Sequence, residues 1–134
     1  MSGRVLTSSA IIDIATDRSV YGRAFLVAAV ELGMTFATPS TALLQAWAAV
    51  PPQARALLEL FLDAPAVVVE DLDASVASRA GVRAHPAHQA GRLDMAAAHA
   101  VDVAIARGLA ILTAEPGPLR AIDPTVEIEE LPAP

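Results

Sequence analysis

Residues 94–118 read DMAAAHAVDVAIARGLAILTAEPGP, and this stretch decides the fold. Ala97, Ala98, Val101, Ala104 and Ile105 recur at the three- and four-residue spacing of one helix face. Asp94 stands where a carboxylate accepts a hydrogen bond from the unpaired amides of a first turn and suits the positive end of the helix dipole. Arg107 and Gly108 supply the matching stop signal. Leu109 to Thr113 is then a short unbroken apolar run ending in a polar residue, followed by the turn-forming Glu115, Pro116, Gly117 and Pro118. The pattern predicts a helix, a tight turn and a buried strand whose carboxyl end delivers Thr113 and Glu115 to a surface. Ligands of open α/β sheets gather outside the carboxyl ends of the strands.

Outward from this unit the chain repeats the same alternation. Val5–Leu6 predicts a first strand, Thr7-Ser8-Ser9 a helix cap, and Ala10–Ala15 a short helix broken by Thr16 to Ser19. Val20–Leu32 predicts a second helix with Phe25, Ala28, Ala29 and Leu32 on one side, closed by Gly33. Met34–Ala37 follows as a strand. A helix from Thr38-Pro39-Ser40 carries Leu43, Leu44, Trp47 and Val50, and Pro51-Pro52 stops it and starts the next, Gln53–Leu62. Ala66–Val69 predicts a third strand. Asp71 or Asp73 caps a helix through Arg79, with 81–91 as a loop. Pro118–Ile122 predicts a helical turn, and Val126–Leu131 an edge strand whose Glu127, Glu129 and Glu130 face water; 132–134 is a tail. Short apolar strands separated by helices imply a mainly parallel sheet of four to five strands, covered on both faces.

The 134 residues suit a single domain spanning 1–134, and 54% hydrophobic residues argue for folded structure. A net charge of −6 argues against broad attraction to nucleic acid. No cysteine is present, which excludes disulfides and thiolate metal sites. All nine basic residues are arginine, which reads as the coding bias of a GC-rich genome. The opening MSGRVLTSS lacks a signal-peptide core, and Glu31 and Gly33 break the longest apolar stretch, so a cytoplasmic protein without a membrane span is expected.

Four pieces, VLTSSAIID (5–13), PSTALLQAW (39–47), Asp94 leading its Ala-rich helix, and AILTAEPGPL (110–119) with the closing 123–131, follow one another in an order and spacing that resemble the PIN domain. The resemblance covers nearly the whole chain and is nearest to the single-domain VapC-type toxins of bacteria. It implies a three-layer α/β fold, a homodimer, a small antitoxin as partner, and a Mg- or Mn-dependent endoribonuclease site of about four carboxylates. Hard divalent cations need such oxygen ligands, and the bound ion activates water. At the implied positions this chain has Thr7, Gln45, Asp94 and Glu115, so two of the four carboxylates are replaced by neutral groups and an incomplete acidic site is expected. Asp94 and Glu115 are the candidate catalytic and metal-binding remnant, Thr7 and Gln45 pocket positions, and Thr113 a brace for the turn.

Each residue also has a plainer reading. Asp94 reads equally as a helix cap, Glu115 as a solvated turn residue, and Asp13 as surface. Asp102, two turns beyond Asp94, is either a charge at the pocket rim or a solvated helix charge. His85 and His88 have a chelating spacing within the predicted loop, and His99 is turned away from Asp94. Arg79, Arg83 and Arg92 flank that loop as a basic rim for RNA or carboxylates, or as solubilising charge. A phosphate-binding module finds no glycine-rich loop after the first strand. Two readings therefore stand: a PIN-like protein with a weak or inactive site that binds RNA or a protein, and a working metal-dependent ribonuclease.

Overall fold

The apolar runs around Val5, Phe36 and Ile111 form the middle of a five-stranded sheet. The computed structural model describes residues 2–16 and 20–132. In order they form β1 (Gly3–Leu6), α1 (Ser8–Thr16), α2 (Val20–Leu32), β2 (Thr35–Pro39), α3 (Ser40–Ala49), a 3-10 turn (Pro52–Ala54) entering α4 (Arg55–Leu62), β3 (Val67–Glu70), α5 (Ala74–Gln89), α6 (Met95–Arg107), β4 (Ala110–Thr113), α7 (Gly117–Ile122) and β5 (Ile128–Glu130). The strand order is β3-β2-β1-β4-β5 and every neighbouring pair is parallel. Register sets Val5 beside Ala37 and Ile111, and Leu6 beside Leu112.

Successive strand side chains point to opposite faces, and the core divides accordingly. Leu6, Phe36 and Leu112 pack with Ile11, Ile14, Leu43, Leu58 and Phe61 of α1, α3 and α4. Val5, Ala37 and Ile111 pack with Ala80, Ala84 and Ala87 of α5, the Ala-Val face of α6, and Leu119 and Ile122 of α7. These are the predicted three layers. Each fully buried Leu, Ile or Phe contributes about 1.5–3 kcal/mol. Among the described residues no helix is long and apolar enough to cross a membrane.

Helix α6 forms for the reasons its sequence gives. Asp94 accepts from the Ala97 N–H at 2.9 Å, and Gly108 closes the helix in the left-handed conformation (φ 66°), which glycine adopts without steric cost. Asp73, not Asp71, caps α5 by accepting from Val76 N–H.

Where the sequence predicts a loop over 81–91, the structure continues α5 to Gln89. Ala80, Ala84 and Ala87 form a buried stripe against α6, and that packing outweighs the break signals. Gly81 is exposed and costs only about 1 kcal/mol in a helix, while Pro86 lies in the final turn. Leu32, Leu44 and Ile105, predicted to face the core, are 71%, 71% and 48% exposed. On α3 the buried stripe is Ala42, Leu43 and Ala46, and Leu44, one residue further on, is turned out of it. Thr16 belongs to α1, and the rest of the predicted break, 17–19, lies outside the described residues, as do 133–134. On β5, Glu129 does not simply face water but pairs with Arg4 of β1, while Glu127 and Glu130 are exposed.

Helices α1 and α2 cross so closely that a Cβ on Gly22 would stand 2.7 Å from Asp13 Oδ2, 3.0 Å from Ile14 Cγ1 and 3.1 Å from Ile14 Cα. Alanine usually gains about 1 kcal/mol over glycine inside a helix. Here Gly22→Ala is expected to destabilise by about 1–3 kcal/mol through overpacking, measured by urea unfolding; a gain in stability would refute the close crossing.

Candidate functional site

A parallel sheet collects loop and helix ends at the carboxyl ends of its strands. At the ends of β1 and β4 the structure has a cleft of about 490 Å³, within the range of small-ligand sites. Its walls come from four places. Thr7, Ser8 and Ser9 follow β1, Gln45 and flanking alanines come from α3, Asp94, Ala96 and Ala97 open α6, and Thr113, Glu115, Pro118 and Leu119 follow β4. The five residues singled out in the sequence, Thr7, Gln45, Asp94, Thr113 and Glu115, thus line one cavity. Gln45 and Glu115 are exposed, Thr7 and Asp94 half-buried, and Thr113 is 1% exposed.

The floor is a chain of hydroxyls. Thr7 Oγ1 donates to the Leu112 carbonyl at 3.3 Å and lies 3.1 Å from Ser9 Oγ, which lies 3.3 Å from Thr113 Oγ1. With the Thr7 proton given to Leu112, the donors run in one direction: Thr113 to Ser9, Ser9 to Thr7, Thr7 to the carbonyl. Ser9 Oγ also accepts from Ala114 N–H and Thr113 Oγ1 from Glu115 N–H, both at 3.0 Å. The hydroxyl links are long for O–H···O bonds, the amide links are ordinary. Together they fix the turn after β4 against the start of α1. Thr113 therefore braces the turn that presents Glu115.

The donor set does not suit a divalent cation. Mg²⁺ takes oxygen ligands in near-octahedral array, several of them waters, and the charge of the protein ligands sets how tightly such a cation is held. The lining residues offer two carboxylates, and one oxygen of Asp94 is engaged by Ala97 N–H. The Thr7 hydroxyl is neutral and already committed. Among the described residues, no three of His, Asp and Glu come together as a metal-holding group. Among the described residues no cationic side chain lines the cleft either, and the charged groups of its lining, Asp94 and Glu115, are acidic.

Other candidates lie elsewhere. Asp102 is neither at the rim nor solvated: it is 4% exposed and held by Arg79 and Arg83 of α5, each at 3.2 Å. The carboxylate reaches the α5 side of α6 because eight residues carry it past two full turns into the interhelix seam. Those two arginines are consequently not a free basic rim. Asp13 is buried at 7% exposure, at the α1–α2 crossing rather than on the surface. His85 and His88 are exposed on α5, one turn apart, away from the cleft lining.

His99 is the residue that pattern reading passes over. It is fully buried in α6, and its Nδ1 lies 2.8 Å from Thr41 Oγ1 of α3. Burial lowers its pKa from 6.5, against the opposing pull of Asp102, Glu70 and Asp71. The one sequence signal was its place among alanines that had to be buried.

Thr113→Val should cost about 1–3 kcal/mol, since it leaves Ser9 Oγ and the Glu115 N–H short of partners in a closed site. Thr113→Ser should retain most of that stability. Equal urea midpoints for the two variants would count against the bracing role.

No protein-family model matches the chain, and no curated protein matches it. Among solved structures the chain is similar to one in the crystal structure of VapBC2 from Rickettsia felis bound to a DNA fragment from their promoter. The TM-score is 0.75 at 16% identity, over 96% of this chain and 98% of that one. The fold of this chain is accordingly the PIN-like three-layer α/β fold.

Proposed function

We propose that this chain is a single PIN-fold domain whose cleft is catalytically weak or inactive and serves in binding, with a protein partner of the small antitoxin kind. The observation that carries the reading is the floor of the cleft. Hydroxyls joined to one another and to the backbone stand where the resemblance implies an aspartate, and only Asp94 and Glu115 supply charge. Losing two of four carboxylates weakens a divalent site severely, because ligand charge count is a main determinant of affinity.

The same charges decide between partners. Nucleic acid binds through cations placed against phosphates, and this cleft has none among its lining residues. Its complement is a cationic side chain, which hydrogen-bonds to carboxylate, hydroxyl and amide oxygens alike. A protein presenting such a group fits better than RNA. The structural neighbour comes from a two-protein VapBC2 complex, which supports a partner of that class. A homodimer is part of the same proposal, through the resemblance.

Calorimetry tests the reading. Wild type should show no Mg²⁺ or Mn²⁺ binding at millimolar metal, and Thr7→Asp with Gln45→Glu should create Mn²⁺ binding by restoring four carboxylates. Wild-type binding that disappears in Asp94→Asn, together with RNA cleavage lost in the same variant, would establish the ribonuclease reading instead. A short arginine-containing peptide should bind wild type and lose roughly tenfold in affinity, about 1.4 kcal/mol, on Asp94→Asn with Glu115→Gln.

A further inference from the structure

Two packed helices contribute to the walls of the cleft, and one polar contact between them is made by residues outside its lining. Gln45 projects from α3 and Asp94 opens α6. One turn before Gln45 stands Thr41, whose Oγ1 is 2.8 Å from His99 Nδ1, five residues after Asp94 on α6. The ring is fully buried, and its Nε2 has no hydrogen-bond partner among the described residues.

The chemistry of the ring follows from that asymmetry. A neutral imidazole has one N–H and one bare nitrogen. With Nδ1–H donating to Thr41, the bare Nε2 is an unpaired acceptor, the less costly arrangement. A second proton would put a full charge on a fully buried ring, which is expensive without a paired partner.

The charged groups around the ring do not supply one. On α6, Asp102 is taken by Arg79 and Arg83 of α5. At the end of β3, Glu70 is taken by Arg107. Asp71, which follows β3, is exposed, and its backbone and carboxylate add only a minor pull toward the protonated ring. Their attraction for a proton is smaller than the burial penalty.

We propose that His99 is a proton-operated latch on the cleft: neutral, it holds α3 against α6 through Thr41, and protonated, it leaves its site and frees the Gln45 wall from the Asp94 wall. His99 is a positioning residue that touches no ligand, and the latch operates whatever the cleft binds. The group binds its proton less readily folded than unfolded, so the folded arrangement is at full strength above pH 6.5. It weakens as pH falls below that value and is lost below the depressed folded pKa.

Trp47, the one tryptophan of the chain, is half-buried on α3 and packs against the core, so it reports movement of this wall. Its emission should shift to the red and become more open to acrylamide quenching between about pH 8 and about pH 5, the span over which histidine changes charge. Far-UV circular dichroism should stay constant over the same span. His99→Gln, which keeps a group able to bond Thr41 but takes no proton there, should give a flat profile. His85→Gln with His88→Gln should leave the wild-type transition unchanged.

A flat wild-type profile, or a transition that survives in His99→Gln, would overturn the proposal. If His99→Gln fails to fold, the ring is followed directly in wild type by NMR. Titration below 6.5 together with shifts of Thr41 and Gln45 amides supports the latch, and titration at or above 6.5, or without those shifts, refutes it. These readouts use the free protein, so their failure leaves the peptide and metal tests of the cleft unaffected.

Discussion

Burial on both faces of a parallel sheet is the constraint on which the rest of this structure depends. Val5 and Leu6, Phe36 and Ala37, and Ile111 and Leu112 are all fully buried although neighbours in each pair point in opposite directions. Such strands are stable only with helices on both sides. The crossovers that supply those helices bring the carboxyl ends of β1 and β4 together. The cleft is a consequence of that topology, formed by turn and helix-start residues that the two cores leave uncovered. Small residues there, Ser8, Ser9, Ala42 and Ala97, keep it open.

What the chain made legible was local. The α6–β4 unit was readable because its cap, its stop signal and its apolar run agree with one another, and agreement across levels is what specifies a structure. The strands were readable as unbroken apolar runs. Helix α5 was not, because Gly81 and Pro86 are local signals and the alanine stripe that overrides them acts only through α6. Asp13, Asp102 and His99 share that origin. A polar residue in a helix reads as solvent-facing until its partner is known, and the partners here lie on other elements. Thr113 and Glu115 were readable as the turn at a strand's carboxyl end, but Thr7 and Gln45 were legible as members of the same cleft only through resemblance, since nothing in the spacing brings residues 7 and 45 to 94 and 113.

The hydroxyl floor is a self-consistent alternative to a carboxylate cluster rather than a damaged one. Thr7 contributes a proton that an aspartate lacks, and that proton goes to the Leu112 carbonyl. Clustered carboxylates repel one another and need a cation to be stable together. Three neutral hydroxyls tied to two backbone amides need none. With the floor neutral, the charge at the cleft comes from Asp94 and Glu115, and one oxygen of Asp94 is occupied in capping its helix.

Helix α6 shows how two buried polar residues, three positions apart, reach different solutions. Asp102 is charged and meets two guanidinium groups, so removing either arginine leaves the carboxylate partly served by the other. His99 meets one hydroxyl and leaves one nitrogen unpaired. Buried polar groups that are half satisfied carry a cost that an apolar residue would not. What the ring adds to packing is the Thr41 contact. That contact ties α3, which carries Gln45, to α6, which Asp94 opens. The sheet fixes where the cleft is, the hydroxyl floor holds the turn after β4 against the start of α1, and the Thr41–His99 contact joins two of the helices that line it.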